Sequence, residues 1–137
     1  MSLVRAIHKI YYAKAEHRFK SPAFEASNDG GISVFSSDCA IGNSQSICEH
    51  LNKYYVPIGI ASTPAIYWEF DEQILPTGCQ REPVIEEGKD PCHENIKGMT
   101  KKQSKNFFKQ KAASNLSLFK VCDPVTGARP LTLADLN

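Results

Sequence analysis

The sequence predicts an α+β domain: a small mixed sheet of four to five strands with two amphipathic helices packed on it. Two observations carry this prediction. Residues 65–70 alternate cleanly between Ile66, Trp68 and Phe70 on one side and more polar partners on the other, as a half-buried strand does. Residues 44–55 and 100–114 each place their apolar side chains on one helical face. Two one-faced helices beside several strands indicate helix-on-sheet packing.

The chain has the size and composition of one globular domain. Its 137 residues are 42% hydrophobic and 23% charged, which is ordinary for a single core. Residues 1–137 are therefore assigned to one domain.

Three further segments are predicted to be strands. The first covers residues 3–10, where Leu3, Arg5 and Ile7 point to one face while Val4, Ala6 and His8 point to the other. Because of this parity, a regular strand cannot send both Arg5 and His8 into one pocket. Residues 32–35 and 116–121 are the other two predicted strands.

Both helices begin with capping signals, and Asn43 or Ser44 can also cap the first helix. Ser46 followed by Glu49, and Thr100 followed by Gln103, have the spacing of a capping box. The first helix is predicted to end before Pro57. Its apolar arc comprises Ile47, Cys48, Leu51, Tyr54 and Tyr55.

Two segments are predicted to be irregular. Residues 71–91 contain three prolines, two glycines and six acids, which favours a long, mobile acidic surface loop with a short strand at 83–85. The C-terminal tail from residue 123 is predicted to be irregular because of Pro124, Gly127 and Pro130.

Charge is distributed in blocks. Residues 69–94 carry eight acids and two bases, whereas residues 97–120 carry seven lysines and no acid. On the second helix the lysines gather on one side, which suits phosphate contacts with nucleic acid or contacts with an acidic protein. The alternative is a solvated helix face that the acidic loop neutralises. The predicted binding residues are Lys101, Lys102, Lys105 and Lys109.

The five cysteines are predicted to be buried free thiols. Their number is odd, their spacing is uneven, and the N-terminal segment lacks the pattern of a secretion signal. These features predict a cytoplasmic protein without a disulfide framework. No apolar run is long enough to span a bilayer, so no membrane association is expected.

No metal site or cofactor is predicted. Cys48 and His50 lie on opposite sides of their helix, and Cys92 and His93 would point apart on a strand. A zinc site would need ligands from remote segments that the sequence does not pair. The chain also lacks a P-loop and a dinucleotide-binding glycine motif.

Three residues are candidates for catalysis. His93 is the first choice because it lies in a restrained polar segment where an imidazole can be exposed. His8 and Arg5 of the first strand are the others. His17 is predicted to be solvated, and His50 is predicted to lie at the margin of the first helix's apolar arc.

Four sequence blocks resemble an uncharacterised family of small bacterial proteins. The family's L-x-R-x-I-H, S-x-A-F, L-S-V and N-P-x-H blocks are matched by residues 3–8, 21–24, 32–34 and 90–93, followed by Gly98 and Lys101-Lys102. Ile32 replaces Leu and Asp90 replaces Asn. The resemblance implies a bacterial origin but no activity.

A second likeness is to ADP-ribosyltransferase-type domains, which combine an early Arg or His, a Ser/Thr element and a later catalytic Glu. Arg5 or His8, Ser62-Thr63, and Glu69 or Glu87 are similar to that scheme. The opposite parity of Arg5 and His8 counts against it.

Three functional hypotheses follow. The first is a binding or regulatory module whose lysine-rich helix contacts nucleic acid or an acidic partner. The second is a small enzyme, ADP-ribosyltransferase-like or hydrolytic, with a site near His8 and His93. The third is a component of a toxin–antitoxin or phage-defence system. The sequence leaves the oligomeric state open.

Overall fold

A computed structural model describes residues 2–24, 31–112 and 115–136. These residues form nine strands and three α-helices. The strands are β1 (Ser2–Ile7), β2 (Tyr12–Ala13), β3 (Arg18–Phe19), β4 (Ile32–Ser36), β5 (Ile66–Asp71), β6 (Gln80–Pro83), β7 (His93–Lys97), β8 (Phe119–Asp123) and β9 (Gly127–Pro130). The helices are α1 (Ser37–Ser44), α2 (Ile47–Tyr54) and α3 (Lys101–Ala112).

Seven strands form one antiparallel sheet in the order β6-β7-β4-β1-β5-β8-β9. Strands β2 and β3 form a separate two-stranded ribbon. The central pair is β1 with β5, which stay in register from Ser2↔Asp71 to Ile7↔Ile66.

The sheet is covered on both faces. On one face Leu3, Ile7 and their neighbours pack with the ribbon residue Phe19 and with Phe107 of α3. On the other face Val4 and Phe35 pack with Leu51 and Tyr55 around α1 and α2. The alternation of β1 predicted from its sequence explains this division, because residues 3 and 7 belong to one core and residue 4 to the other.

The predicted fold class is wrong in its architecture. The sheet has seven antiparallel strands rather than four to five mixed ones, and the described residues contain three helices rather than two. The additional strands β6, β7 and β9 lie in or beside segments predicted to be irregular. Strand β6 has no buried residue and β9 has none either, so neither carries a hydrophobic alternation that a sequence reading detects.

The capping residues Ser46 and Thr100 are confirmed, but the first predicted helix begins at Ile47 rather than at residue 44, since Asn43 and Ser44 belong to α1. The Ser46 hydroxyl accepts a hydrogen bond from the Glu49 N–H at 3.0 Å. Thr100 and Gln103 cap each other reciprocally, with distances of 2.9 and 3.1 Å. The additional helix α1 begins at the N-cap Ser36, whose hydroxyl accepts from the Cys39 N–H.

The prediction of free thiols is wrong for four cysteines. Cys39 of α1 is bonded to Cys92 before β7, and Cys48 of α2 is bonded to Cys122 of β8. Cys79 is a free thiol. Each disulfide joins a helix to the sheet across more than 50 residues, and sequence spacing alone does not reveal such pairings.

The acidic segment 71–91 is tied to the sheet by Arg81. Its guanidinium bonds both carboxylate oxygens of Glu94 and one of Glu72, all at 2.7 Å. Lys89 pairs with Glu86 on the surface.

The longest helix in the described part of the chain, α3, has 12 residues. None of the described helices has the length and apolar character that a membrane span requires.

Candidate functional site

Strands β1 and β4 separate after a short paired stretch and leave a cleft between them. Their register covers two pairs, Leu3 with Ser36 and Val4 with Phe35. Beyond these pairs a cavity of about 260 Å³ opens. We call it the β1–β4 cleft; its lining comprises residues 4–8, 33–35, Tyr11, Pro22, Ala23, Tyr55, Gly59 and Ile60.

Arg5 lies inside this cleft. Its Nε donates to the Ala23 carbonyl at 2.8 Å and its Nη1 donates to the Ser33 carbonyl at 2.9 Å. The guanidinium thus bridges β4 and the 3-10 helix Ser21–Phe24 where the strands no longer pair. Two neutral carbonyls leave donors of the guanidinium available to a ligand, because it carries five N–H groups.

The charge of Arg5 has no anionic partner among the described residues. Burial lowers the pKa of its guanidinium to about 10, with Tyr11 as the opposing influence. At neutral pH the group is therefore still a cation. Removing a charge even partly from water is costly unless it is paired, so an anion in the cleft would lower the energy of the half-buried Arg5.

His8 presents a polar group at the same cleft. Strand β1 ends at Ile7, and His8 caps the next turn by accepting the Ile10 N–H on Nδ1 at 3.1 Å. Since Nδ1 is an acceptor here, the neutral ring carries its proton on Nε2. His8 is thus a candidate hydrogen-bond donor in the cleft that Arg5 also lines.

His93 does not line the cleft itself but contacts one of the residues that do. Its Nε2 is hydrogen-bonded to the Ser33 Oγ at 2.8 Å, and Ser33 lines the cleft. His93 therefore positions Ser33 from behind. Of the three catalytic candidates, Arg5 and His8 line the cleft and His93 supports its wall.

The parity argument against a shared pocket is wrong. It assumes a regular strand through His8, whereas β1 ends at Ile7. The separation of β1 from β4 also opens the cleft to side chains that leave β1 in different directions. Arg5 and His8 consequently line one cleft.

Only two of the residues that the ADP-ribosyltransferase likeness requires lie in the cleft. Arg5 and His8 line the cleft, but Ser62, Glu69 and Glu87 are not among its described lining residues. Ser62 is buried elsewhere and its hydroxyl accepts the Lys9 N–H.

A buried polar cluster lies behind the cleft, and the sequence prediction missed it. His50 is fully buried rather than at a margin, and its Nε2 bonds Asp90 Oδ1 at 2.7 Å. The hydroxyl of Tyr55, which lines the cleft, donates to Asp90 Oδ2, and the Cys92 N–H donates to Oδ1. Burial alone would raise the pKa of Asp90, but these three hydrogen bonds together hold it below its ordinary value.

The lysine-rich helix α3 contacts a segment that lines the cleft. α3 contacts the 3-10 helix Ser21–Phe24, whose Pro22 and Ala23 line the cleft. Lys101, Lys102 and Lys105 line a separate surface depression with Asn106. The side chain of Lys109, the fourth predicted binding residue, lies outside the described part of the chain.

Neither a protein-family model nor a curated protein nor a solved structure matches this chain. The resemblance to small bacterial proteins therefore stays a prediction. The geometry of the cleft carries the functional interpretation.

Proposed function

We propose that the β1–β4 cleft binds a phosphate-bearing small molecule and that the protein is a small enzyme acting on it. The observation that supports this proposal is the half-buried Arg5 cation, which lines the cleft and is held by two neutral carbonyls. A guanidinium fork matches the geometry of phosphate and of carboxylate oxygens.

The remaining groups of the cleft suit this substrate class. His8 offers an Nε2–H that can donate a hydrogen bond to a phosphate oxygen. Ser33 offers a hydroxyl whose position His93 fixes. A volume of about 260 Å³ falls just below the roughly 300–1,000 Å³ of sites for drug-sized ligands, so the cleft accommodates a phosphate group with a small organic part.

Replacing Arg5 with Gln tests the anion anchor. We expect the affinity for AMP and for inorganic phosphate to fall at least tenfold, because hydrogen bonds to a charged group contribute about 1.5–3 kcal/mol. Isothermal titration calorimetry with each ligand measures this change. Arg18→Gln, which removes a half-exposed arginine paired with Glu16, is the matched control and should bind as wild type does.

Two results would contradict the proposal. One is wild-type protein that binds neither phosphate nor AMP at millimolar concentration. The other is an Arg5→Gln variant that is folded by circular dichroism and binds both ligands with unchanged affinity.

A second candidate function is polyanion binding by α3. Its supporting observation is the surface depression that Lys101, Lys102 and Lys105 share, on a helix packed against the wall of the cleft. Such a face would contact nucleic acid or an acidic protein. Of these two partners we favour nucleic acid, because it would present the same phosphate groups that we propose for the cleft.

Replacing Lys101, Lys102 and Lys105 together with Gln tests this face. We expect binding to mixed DNA and RNA oligonucleotides at low salt to weaken and the slope of log K against log salt to shrink by about 2–3, because each phosphate contact contributes about 0.7–0.9. Fluorescence anisotropy at several salt concentrations measures both. A control that replaces the exposed Lys14, Lys53 and Lys120 removes the same charge elsewhere. Equal losses in the two triple variants would show only a general charge effect and reject the face.

Two further predictions remain proposals. A cytoplasmic location is argued from the sequence, although disulfides persist mainly in oxidising compartments. A role in a toxin–antitoxin or defence system would appear as growth inhibition on expression.

A further inference from the structure

Four metal-ligating side chains meet behind the cleft from three separate segments. His50 belongs to α2, whereas Asp90 and Cys92 precede β7. Their ligand atoms all lie within 4.8 Å of one another. Cys39 of α1 joins them, because its sulfur is bonded to that of Cys92. No two of these segments are linked by a sequence motif.

In the disulfide form these groups are already bonded, His50 and Asp90 by hydrogen bonds and the two sulfurs to each other. His50 bonds Asp90 through Nε2 and Ser44 through Nδ1, at 2.7 and 2.8 Å. The two sulfurs are bonded to each other and are not thiolates. Zinc needs deprotonated sulfur ligands, so this form has no complete ligand set.

We propose that reduction of Cys39–Cys92 creates a zinc site whose ligands are Cys39, Cys92, His50 and Asp90. A dithiol reductant supplies two electrons and two protons, yields two cysteine thiols, and itself becomes a disulfide. Zinc then displaces the two thiol protons and binds both thiolates. Two sulfurs, one imidazole nitrogen and one carboxylate oxygen are ligand types that Zn²⁺ takes in tetrahedral sites.

Three of the four ligand atoms already lie near the spacing of a tetrahedral site. With Zn–N and Zn–O bonds of about 2.0–2.1 Å and Zn–S bonds of about 2.3 Å, tetrahedral ligand atoms lie roughly 3.3–3.8 Å apart. The ligand atoms of His50, Asp90 and Cys92 lie within 4.8 Å of one another, and the two sulfurs can separate to that range once their bond is reduced. His50 Nε2 and Asp90 Oδ1, now 2.7 Å apart, have to separate by less than 1 Å.

Neighbouring groups already occupy outer positions of such a site. With Nε2 on the metal, Nδ1–H of His50 donates to Ser44, and the Tyr55 hydroxyl holds the second oxygen of Asp90. The Asn43 side-chain amide lies 3.5 Å from both sulfurs and would stabilise the thiolates. Partners of this kind fix the orientation of metal ligands.

The second disulfide is a natural control. Among the described residues, His50, Asp90 and Cys92 form the only group of three convergent metal-ligating side chains, so Cys48 and Cys122 lack such neighbours. Reduction exposes both pairs of thiols, but only one pair has the nitrogen and oxygen ligands beside it.

Cobalt titration of the reduced protein tests the proposal. In a Cys79→Ser background, which removes the free thiol, we expect phosphine-reduced protein to bind one Co²⁺ with sulfur-to-cobalt charge-transfer absorption and the strong visible bands of a tetrahedral site. Zn²⁺ should abolish these bands. The oxidised protein should bind at least 100-fold more weakly.

Variants assign the ligands. Cys92→Ser should lose the charge-transfer band, whereas Cys122→Ser should keep it. The proposal is overturned if the reduced Cys79→Ser protein, folded by circular dichroism, shows no tetrahedral spectrum. It is also overturned if Cys122→Ser loses the spectrum while Cys92→Ser retains it.

Discussion

Replacing Asp90 with Ala is expected to lower the free energy of unfolding by about 3–5 kcal/mol, because the buried groups of His50 and Tyr55 lose their hydrogen-bond acceptor at about 1–3 kcal/mol each. Asp90 accepts hydrogen bonds from His50, Tyr55 and the backbone of Cys92. His50 has no exposed surface, so water cannot readily replace the lost carboxylate. Urea unfolding followed by circular dichroism measures the change.

The matched control is Glu87→Ala, an exposed acid of the same segment, which should change stability by less than about 0.5 kcal/mol. The pH dependence gives a second check. Because the pKa of Asp90 is lowered in the folded protein, its contribution is complete above the unfolded value of about 3.9 and is lost as pH falls through the folded value. The difference between wild type and Asp90→Ala should therefore narrow below about pH 4. A difference that is small at pH 7, or constant down to pH 2, would show that this carboxylate does not hold the cluster together.

Replacing both Cys39 and Cys92 with Ala is expected to lower the free energy of unfolding of the oxidised protein by about 4 kcal/mol. The disulfide joins residues 53 apart in sequence, and a cross-link over a loop of that length restricts the unfolded chain by about this amount. Removing Cys48–Cys122, with a separation of 74, should cost a similar amount.

Urea unfolding with and without a reductant measures these effects. Cys79→Ala, which removes the half-buried free thiol, is the control for the loss of a sulfur side chain. Reduction should destabilise each double variant less than wild type, because one bond is already absent. Equal unfolding midpoints for oxidised and reduced wild type would contradict the presence of both bonds in solution.

The parts of the fold that follow local patterns could be predicted from the sequence. The alternation of Ile66, Trp68 and Phe70 corresponds to β5, and the capping residues Ser46 and Thr100 start α2 and α3. The two edge strands of the sheet could not be predicted from the sequence. β6 and β9 bury no side chain and are held by backbone pairing to a neighbouring strand. Helix α1 was missed because its short sequence, with Gly42 and Asn43, has no marked apolar face.

The candidate site depended on information that local patterns do not carry. Arg5 and His8 were recognised by residue type, but their shared cleft results from the early separation of β1 from β4. The cluster of His50, Asp90 and Cys92 joins residues 40 positions apart. The only sequence signal for it was a histidine beside an apolar helical arc, which equally fits a surface position.

The central claim is that Arg5 is a half-buried cation that binds an anion in the β1–β4 cleft. The most direct test is the ¹H–¹⁵N NMR signal of the Arg5 Nε–H, which is bonded to the Ala23 carbonyl, assigned by its loss in Arg5→Gln. On titration with inorganic phosphate we expect this signal to shift in a saturable manner, while that of Arg18 moves little. An Arg5 signal that stays fixed at saturating phosphate, or one that shifts only as much as that of Arg18, would contradict the claim.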